Sequence, residues 1–361
     1  MRHYTTPLSI AIGTALLSLP LANALAETTL PPVSIGAGVR TSFTNTEIDA
    51  PGTLNDSDSS DFKLDSARLY ISGKVMENVG LMFNTEYNSA DQSLVVMDAA
   101  AQFAFSDSFN IWAGRFLPPS DRANLYGPYY ASNWGVYQDG VQDGYPSTSV
   151  GRDDGVMYWG QFGIAKVSAG LFDVTGVTTG DSTVLSAARV QLDFWDPEGG
   201  YYLNGTYYGE KDLLAVGAAV QSADGESAYS IDALFEKKLG GAGVLTLEAE
   251  YAKYDGLGGY VGGTKSDGFY LLAAYLFAPK IGIGQFQVLA KAGTVTFEDN
   301  TPPISPVTLD QDTFEFNLNY IIKQFNCRVS AFYIDKEASP SAPANSSVTG
   351  KQYGIGLQVQ M

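Results

Sequence analysis

The last nine residues, Tyr353 to Met361, carry an apolar side chain at every odd position and Gly or Gln at every even one. Successive side chains of a strand point to opposite faces, so this segment has one greasy face and one polar face. The first strand-like segment repeats the code, with Val33, Ile35, Ala37, Val39 and Phe43 opposite Ser34, Gly36, Gly38, Arg40 and Ser42. The same alternation recurs along the chain. A very large sheet with hydrocarbon on one side and water on the other is expected. Closing it into a barrel leaves no unpaired edge, which is how strands span a bilayer.

The N-terminus supplies a route to such a membrane. Arg2 and His3 form a basic start, Leu8 to Leu21 an apolar run, and Ala24-Leu25-Ala26 a small-residue cleavage site, the pattern of a secretory signal peptide. Residues 1–26 are therefore expected to be removed, leaving 27–361 as one outer-membrane barrel domain. No later stretch offers the roughly 20 apolar residues of a spanning helix.

Composition then excludes several chemistries. Removal of residues 1–26 leaves 20 basic against 39 acidic residues, a net charge of −19, so nucleic acid is excluded as a partner. The single histidine, His3, leaves with the leader, which removes Ser-His-Asp and Cys-His catalysis and His-ligated metal sites. The chain is not expected to be an enzyme, to hold a metal or to need a cofactor. Cys327 is alone, so no intramolecular disulfide forms, and its place beside Val329 and Ala331 reads as a packed or lipid-facing strand residue.

Loop lengths set the orientation, because such barrels have short periplasmic turns and longer outer loops. Long breaks fall near 46–62, 117–153, 174–183, 255–267, 296–311 and 337–350. A plain count gives an odd number of strands, which would strand the C-terminus on the wrong side. Asp196 to Asp212, broken by Gly and turn residues, is therefore read as a periplasmic excursion. The expectation is an all-β, transmembrane antiparallel barrel of 16 strands, with 18 as the alternative.

The segment from Leu117 to Gly151 is the longest break and follows the fifth strand, Phe109 to Phe116. Its length and its Tyr126, Tyr129, Tyr130, Trp134 and Tyr137 point to a loop folded into the lumen; an outer loop over the mouth or at a subunit contact is the alternative. Arg40, Arg68, Lys74, Arg115, Arg152, Lys166, Arg189 and Arg328 fall at polar-face positions in or beside strands. Asp and Glu are read as concentrated in loops. Facing the basic wall would be the acids Asp121, Asp139 and Asp143 of the long loop, with Arg122 also placed in the constriction, and charged rings are how pores choose by sign. Asn55 to Asp61 alternates oxygen ligands but lacks the Gly and terminal Glu of a calcium loop, and is read as a solvated acidic loop.

Arg68-Leu69-Tyr70-Ile71-Ser72-Gly73, Gly114-Arg115-Phe116 followed by Pro118-Pro119, Arg152-Asp153-Asp154-Gly155-Val156-Met157 and Trp159-Gly160 resemble the phosphate-selective porin family, porins O and P. The resemblance covers most of the chain. It implies a sixteen-stranded outer-membrane channel, usually trimeric, with an inward loop after strand five. That family owes its anion preference to a Lys- and Arg-rich lumen, whereas this chain is acidic and ends in Met361 where a terminal aromatic is common. The expected function is passive diffusion of small hydrophilic solutes or ions, with weak charge selectivity leaning to anions; the chain would contact the bilayer and lipopolysaccharide and form a homotrimer. The alternative is a non-conducting barrel whose acidic outer loops bind a partner or divalent cations.

Overall fold

The computed structural model describes residues 32–50, 56–88, 92–142, 151–174, 183–257, 265–299, 307–341 and 347–361. The leader and its cleavage site lie outside them. Sixteen antiparallel strands close on themselves, with β1 (Val33–Asp49) paired to β16 (Val348–Gln360). The seam is tied by Ala37 N to Met361 O at 3.0 Å and Met361 N to Ala37 O at 2.9 Å. Closure pairs the two outermost strands, so the strand order leaves no open edge.

Alternation decides which face is which. In β9 (Leu213–Ala223), Ala215, Gly217, Ala219 and Gln221 are buried while Val216, Ala218 and Val220 are exposed. The exposed apolar side chains therefore face away from the lumen. The same pattern holds in β16, where Ile355, Leu357 and Val359 look outward and Gly356, Gln358 and Gln360 look in. A barrel set in hydrocarbon requires that arrangement.

The remaining strands are β2 (Ser57–Met76), β3 (Val79–Asn88), β4 (Ser93–Ser106), β5 (Phe109–Phe116), β6 (Asp153–Phe162), β7 (Ala165–Val174), β8 (Thr183–Asp193), β10 (Glu226–Lys238), β11 (Gly243–Asp255), β12 (Lys265–Ile281), β13 (Gly284–Asp299), β14 (Val307–Lys323) and β15 (Cys327–Pro340). The acidic stretch expected as a loop over 46–62 is largely strand instead: Thr46 pairs with Ser59 and Glu47 with Asp58. Ser and Asp at a barrel rim can keep strand pairing while their side chains stay in water. Asp196 to Asp212 carries no strand and joins β8 to β9 on the end of the barrel where β1 begins and β16 ends. The count of sixteen follows.

Candidate functional site: a loop pinned inside the lumen

The connection after β5 enters the barrel. Its helix α1 (Arg122–Tyr130) is capped by Asp121, whose side chain accepts from Asn124 N at 2.7 Å, and is kinked at Gly127, φ +62°. Ala123, Tyr126, Ala131 and Val136 form a small apolar core of the loop itself. Burial pushes the Asp121 carboxyl up, against the donors Ser120 and Asn124.

Around this core the barrel wall grips the loop on most sides. From β15, Arg328 donates to the carbonyls of Ala131 (2.6 Å), Ser132 (3.1 Å) and Asn133 (3.3 Å). Arg40 on β1 donates to Trp134 O at 2.9 Å and lies 4.2 Å from the indole centroid. On β14, Glu315 accepts from Asn133 Nδ2, Trp134 N and Gly135 N at 2.7 to 2.9 Å. Gln358 on β16 donates to Tyr129 O, Lys291 on β13 pairs with Asp139 at 2.6 Å, and Glu248 on β11 accepts from Tyr126. The backbone is shaped to admit the loop, since a Cβ on Gly356 would stand 2.4 Å from Trp134 and one on Gly38 2.7 Å from Tyr129.

At the start of α1 the charges concentrate. Arg122, fully buried, makes a two-pronged contact with Glu198 of the β8–β9 segment, reaches Asn204 O at 3.2 Å, and donates its backbone N to Asp232 at 3.2 Å. Arg189 shares Asp232, with contacts of 2.5 and 2.8 Å, and donates to Ser120 O. Lys166, buried beside Leu125 and Tyr201, borders a cavity of about 10 Å³ that also touches Ser168, Arg189 and Gln191. That is about the room one water needs.

The remaining basic residues divide. Arg68 on β2 pairs with Glu86 and sits 5.0 Å from the Tyr129 ring centroid, and Arg152 contacts Asp98 at 3.5 Å. Lys74 is exposed near the end of β2, on the strand face that carries Arg68 and Tyr70. Asp143 lies outside the described residues. Arg115 overturns its inward assignment: Trp112 and Phe116 take the buried face of β5, so Arg115 points outward, 3.5 Å from the exposed Asp154. Both faces of β5 are aromatic because Trp112 packs on Tyr201 and Tyr202 inside the barrel, at 5.2 and 5.8 Å between centroids. Arg115→Glu is accordingly expected to leave the reversal potential across a salt gradient unchanged, and a shift toward cations would return Arg115 to the passage.

A second correction concerns the acids. Asp98, Asp193, Asp232, Glu236, Glu248, Glu250 and Glu315 are buried on inward strand faces, not gathered in loops. The alternation that located the arginines locates these too. Their presence follows from energetics, since burying unpaired cations costs several kcal/mol each. The lumenal arginines are thus committed to carboxylates and loop carbonyls.

No family model matches the chain, and no curated protein does. Among solved structures it is similar to the high-pH structure of Pseudomonas putida OprB, with TM-score 0.62 and 8% identity over 91% of this chain and 94% of that one. It is similar also to the outer membrane channel DcaP of Acinetobacter baumannii (TM-score 0.57, 13% identity, 91% and 97% covered). A third is Salmonella typhi OmpF in complex with daunomycin (0.55, 11%, 92% and 98%). At such identities the likeness is one of fold. The chain has the fold of the porin-like outer-membrane barrels.

Proposed function

We propose that this chain, exported by a cleaved leader, is an outer-membrane channel that passes small hydrophilic solutes or ions by passive diffusion. The observation that carries the reading is the closed barrel with apolar outer faces and a charged lumen narrowed by an inward loop. Most lumenal cations have a carboxylate partner, which supports weak charge selectivity and does not extend the phosphate preference of porins O and P to this chain. Homotrimeric assembly in lipopolysaccharide-containing bilayers belongs to the same reading. Migration as a heat-sensitive oligomer would support it, and a monomer in every mild detergent would count against it.

A second reading, a closed scaffold, has its own observation. Trp112, Phe116, Leu117, Leu125, Met157, Phe172, Tyr201 and Leu203 belong to one apolar cluster inside the barrel, where a wide pore would hold water. Single-channel recording separates the two: stable steps support the channel, and a folded but silent barrel supports the scaffold. Deleting Val136 to Gln142 should then enlarge the steps, because it removes Asp139 and the backbone that Lys291 and Gln311 hold. Loop closure itself changes by well under about 1 kcal/mol on such a cut. Lys291, left without Asp139, is expected to be rehydrated by the space opened. Steps of unchanged size would show that this part of the loop does not limit the current.

A further inference from the structure

The β8–β9 segment does more than return the chain. From the end of the barrel where β1 begins and β16 ends it turns inward, so that Glu198 and Thr206 are fully buried and Tyr201 and Leu203 nearly so. There it meets the loop directly. Leu203 N donates to Leu125 O at 3.2 Å, Gly205 N to Tyr130 O at 2.9 Å, and Tyr201 OH to Leu117 O at 2.8 Å. These bonds run the length of α1, from before its first turn to its last residue.

One side chain joins the two segments electrostatically. Glu198 receives both prongs of the Arg122 guanidinium and further bonds from Gln191 Nε2 at 2.8 Å and Tyr207 OH at 2.9 Å, while its own N donates to Asp193 at 3.2 Å. Such forked pairing fixes direction as well as distance. The far part of the segment is held separately: Glu236 on β10 accepts from Thr206 Oγ1 and from the backbone N of Tyr207 and Gly209. Glu198 is therefore not needed to hold residues 206–209 on the wall. Its forked pair with Arg122 is the contact that reaches α1, while Gln191 and Tyr207 hold the carboxylate in place for it.

We infer that residues 194–212 form a second constriction element, and that Glu198 is the positioning residue that clamps α1 to it, so that the two segments leave the lumen only together. The inference rests on the channel reading for its consequence, but the clamp itself is a statement about structure. Without Glu198, Arg122 and Arg189 are left sharing Asp232. Two buried guanidiniums on one carboxylate are poorly neutralised, and breaking a buried pair shifts an equilibrium by about a hundredfold or more.

The test labels the junction and records current from the same protein. Leu203→Cys, made with Cys327→Ser so that it is the only thiol, places a sulfur at a position only 2% exposed. Its reaction with a bulky water-soluble maleimide should be slow, and Glu198→Gln should accelerate it about a hundredfold, while the unheated barrel still runs as a folded species. Channels carrying Glu198→Gln should flicker between the wild-type step and a larger one. Glu198→Asp keeps the charge but shortens the reach; it replaces Glu198→Gln if that variant does not fold, with the same changes expected at smaller size. Labelling as slow as in the parent, in the variant that folds, overturns the clamp. Accelerated labelling in a barrel that never conducts upholds the clamp and overturns the channel reading instead.

Discussion

Arg328→Ala is expected to turn a steady, narrow conductance into larger and noisier steps while the barrel stays folded. The guanidinium is fully buried and serves three successive carbonyls, Ala131 to Asn133, just where α1 ends in extended backbone at Ala131, φ −81° and ψ 151°. Beyond a helix end these carbonyls have no helical partner. Ser132 O keeps the Asn319 amide at 3.0 Å, but the Ala131 and Asn133 carbonyls lose their donor. A buried acceptor left without one costs about 1–3 kcal/mol, so losing Arg328 weakens this attachment by about 2 kcal/mol or more. Arg40 still holds Trp134 O, and Glu315 still binds the loop amides, which keeps part of the loop in place. The β14–β15–β16 ladders do not involve the Arg328 side chain, so the wall should survive. Arg328→Lys should fall between, because an ammonium is a compact charge and cannot fork across neighbouring carbonyls. If Arg328→Ala gave steps of wild-type size with only a change in reversal potential, Arg328 would be a wall charge acting on passing ions, as its place in the alternation first suggests.

The difference between those two roles shows what the sequence makes legible. Alternation is a local property, so β16 could be read from Tyr353 to Met361 and its lumenal face assigned. That Gly356 is small to admit Trp134, and that Gln358 reaches Tyr129 O, depends on a loop more than two hundred residues earlier in the chain. Aromatic content marked that loop as one that packs on a wall, but not which wall. Arg115 failed for a local reason. With Phe109 and Ile111 on one face of β5 and Trp112 and Phe116 on the other, polarity cannot distinguish inside from outside when the inside is itself packed. The acids failed for a different one: a lumen filled by a folded loop must be nearly neutral, so Asp232, Glu248 and Glu315 are the counterpart of the arginines and sit in the same periodic positions. For Asp196 to Asp212, Gly and turn residues correctly signalled the absence of a strand. Nothing local signals that it turns inward, because its partners on α1 lie about 80 residues away, a separation that only tertiary contacts can bridge.

Acid should release what Glu198 holds. Burial alone would push this carboxyl up, yet the Arg122 guanidinium, with Lys166 nearby and the Tyr207 hydroxyl in contact, holds it below its ordinary 4.5. A carboxylate lowered in the closed arrangement contributes to closure fully above the ordinary value, and the contribution is lost as pH falls from 4.5 through the lowered one. Channel steps should therefore be steady from pH 7 to about pH 5 and begin to flicker to larger levels below about pH 4. Asp121 works in the opposite sense. Its carboxyl is raised above 3.8 by burial, so it favours closure in acid and loses that contribution as pH rises, and it cannot produce an acid-induced opening. Glu198→Gln discriminates further, since a neutral amide cannot be protonated in this range; that variant should flicker already at pH 7 and change little on acidification. A wild-type channel as steady at pH 3 as at pH 7, or a Glu198→Gln channel with the full acid response, would show that protonation of Glu198 does not govern the closed state.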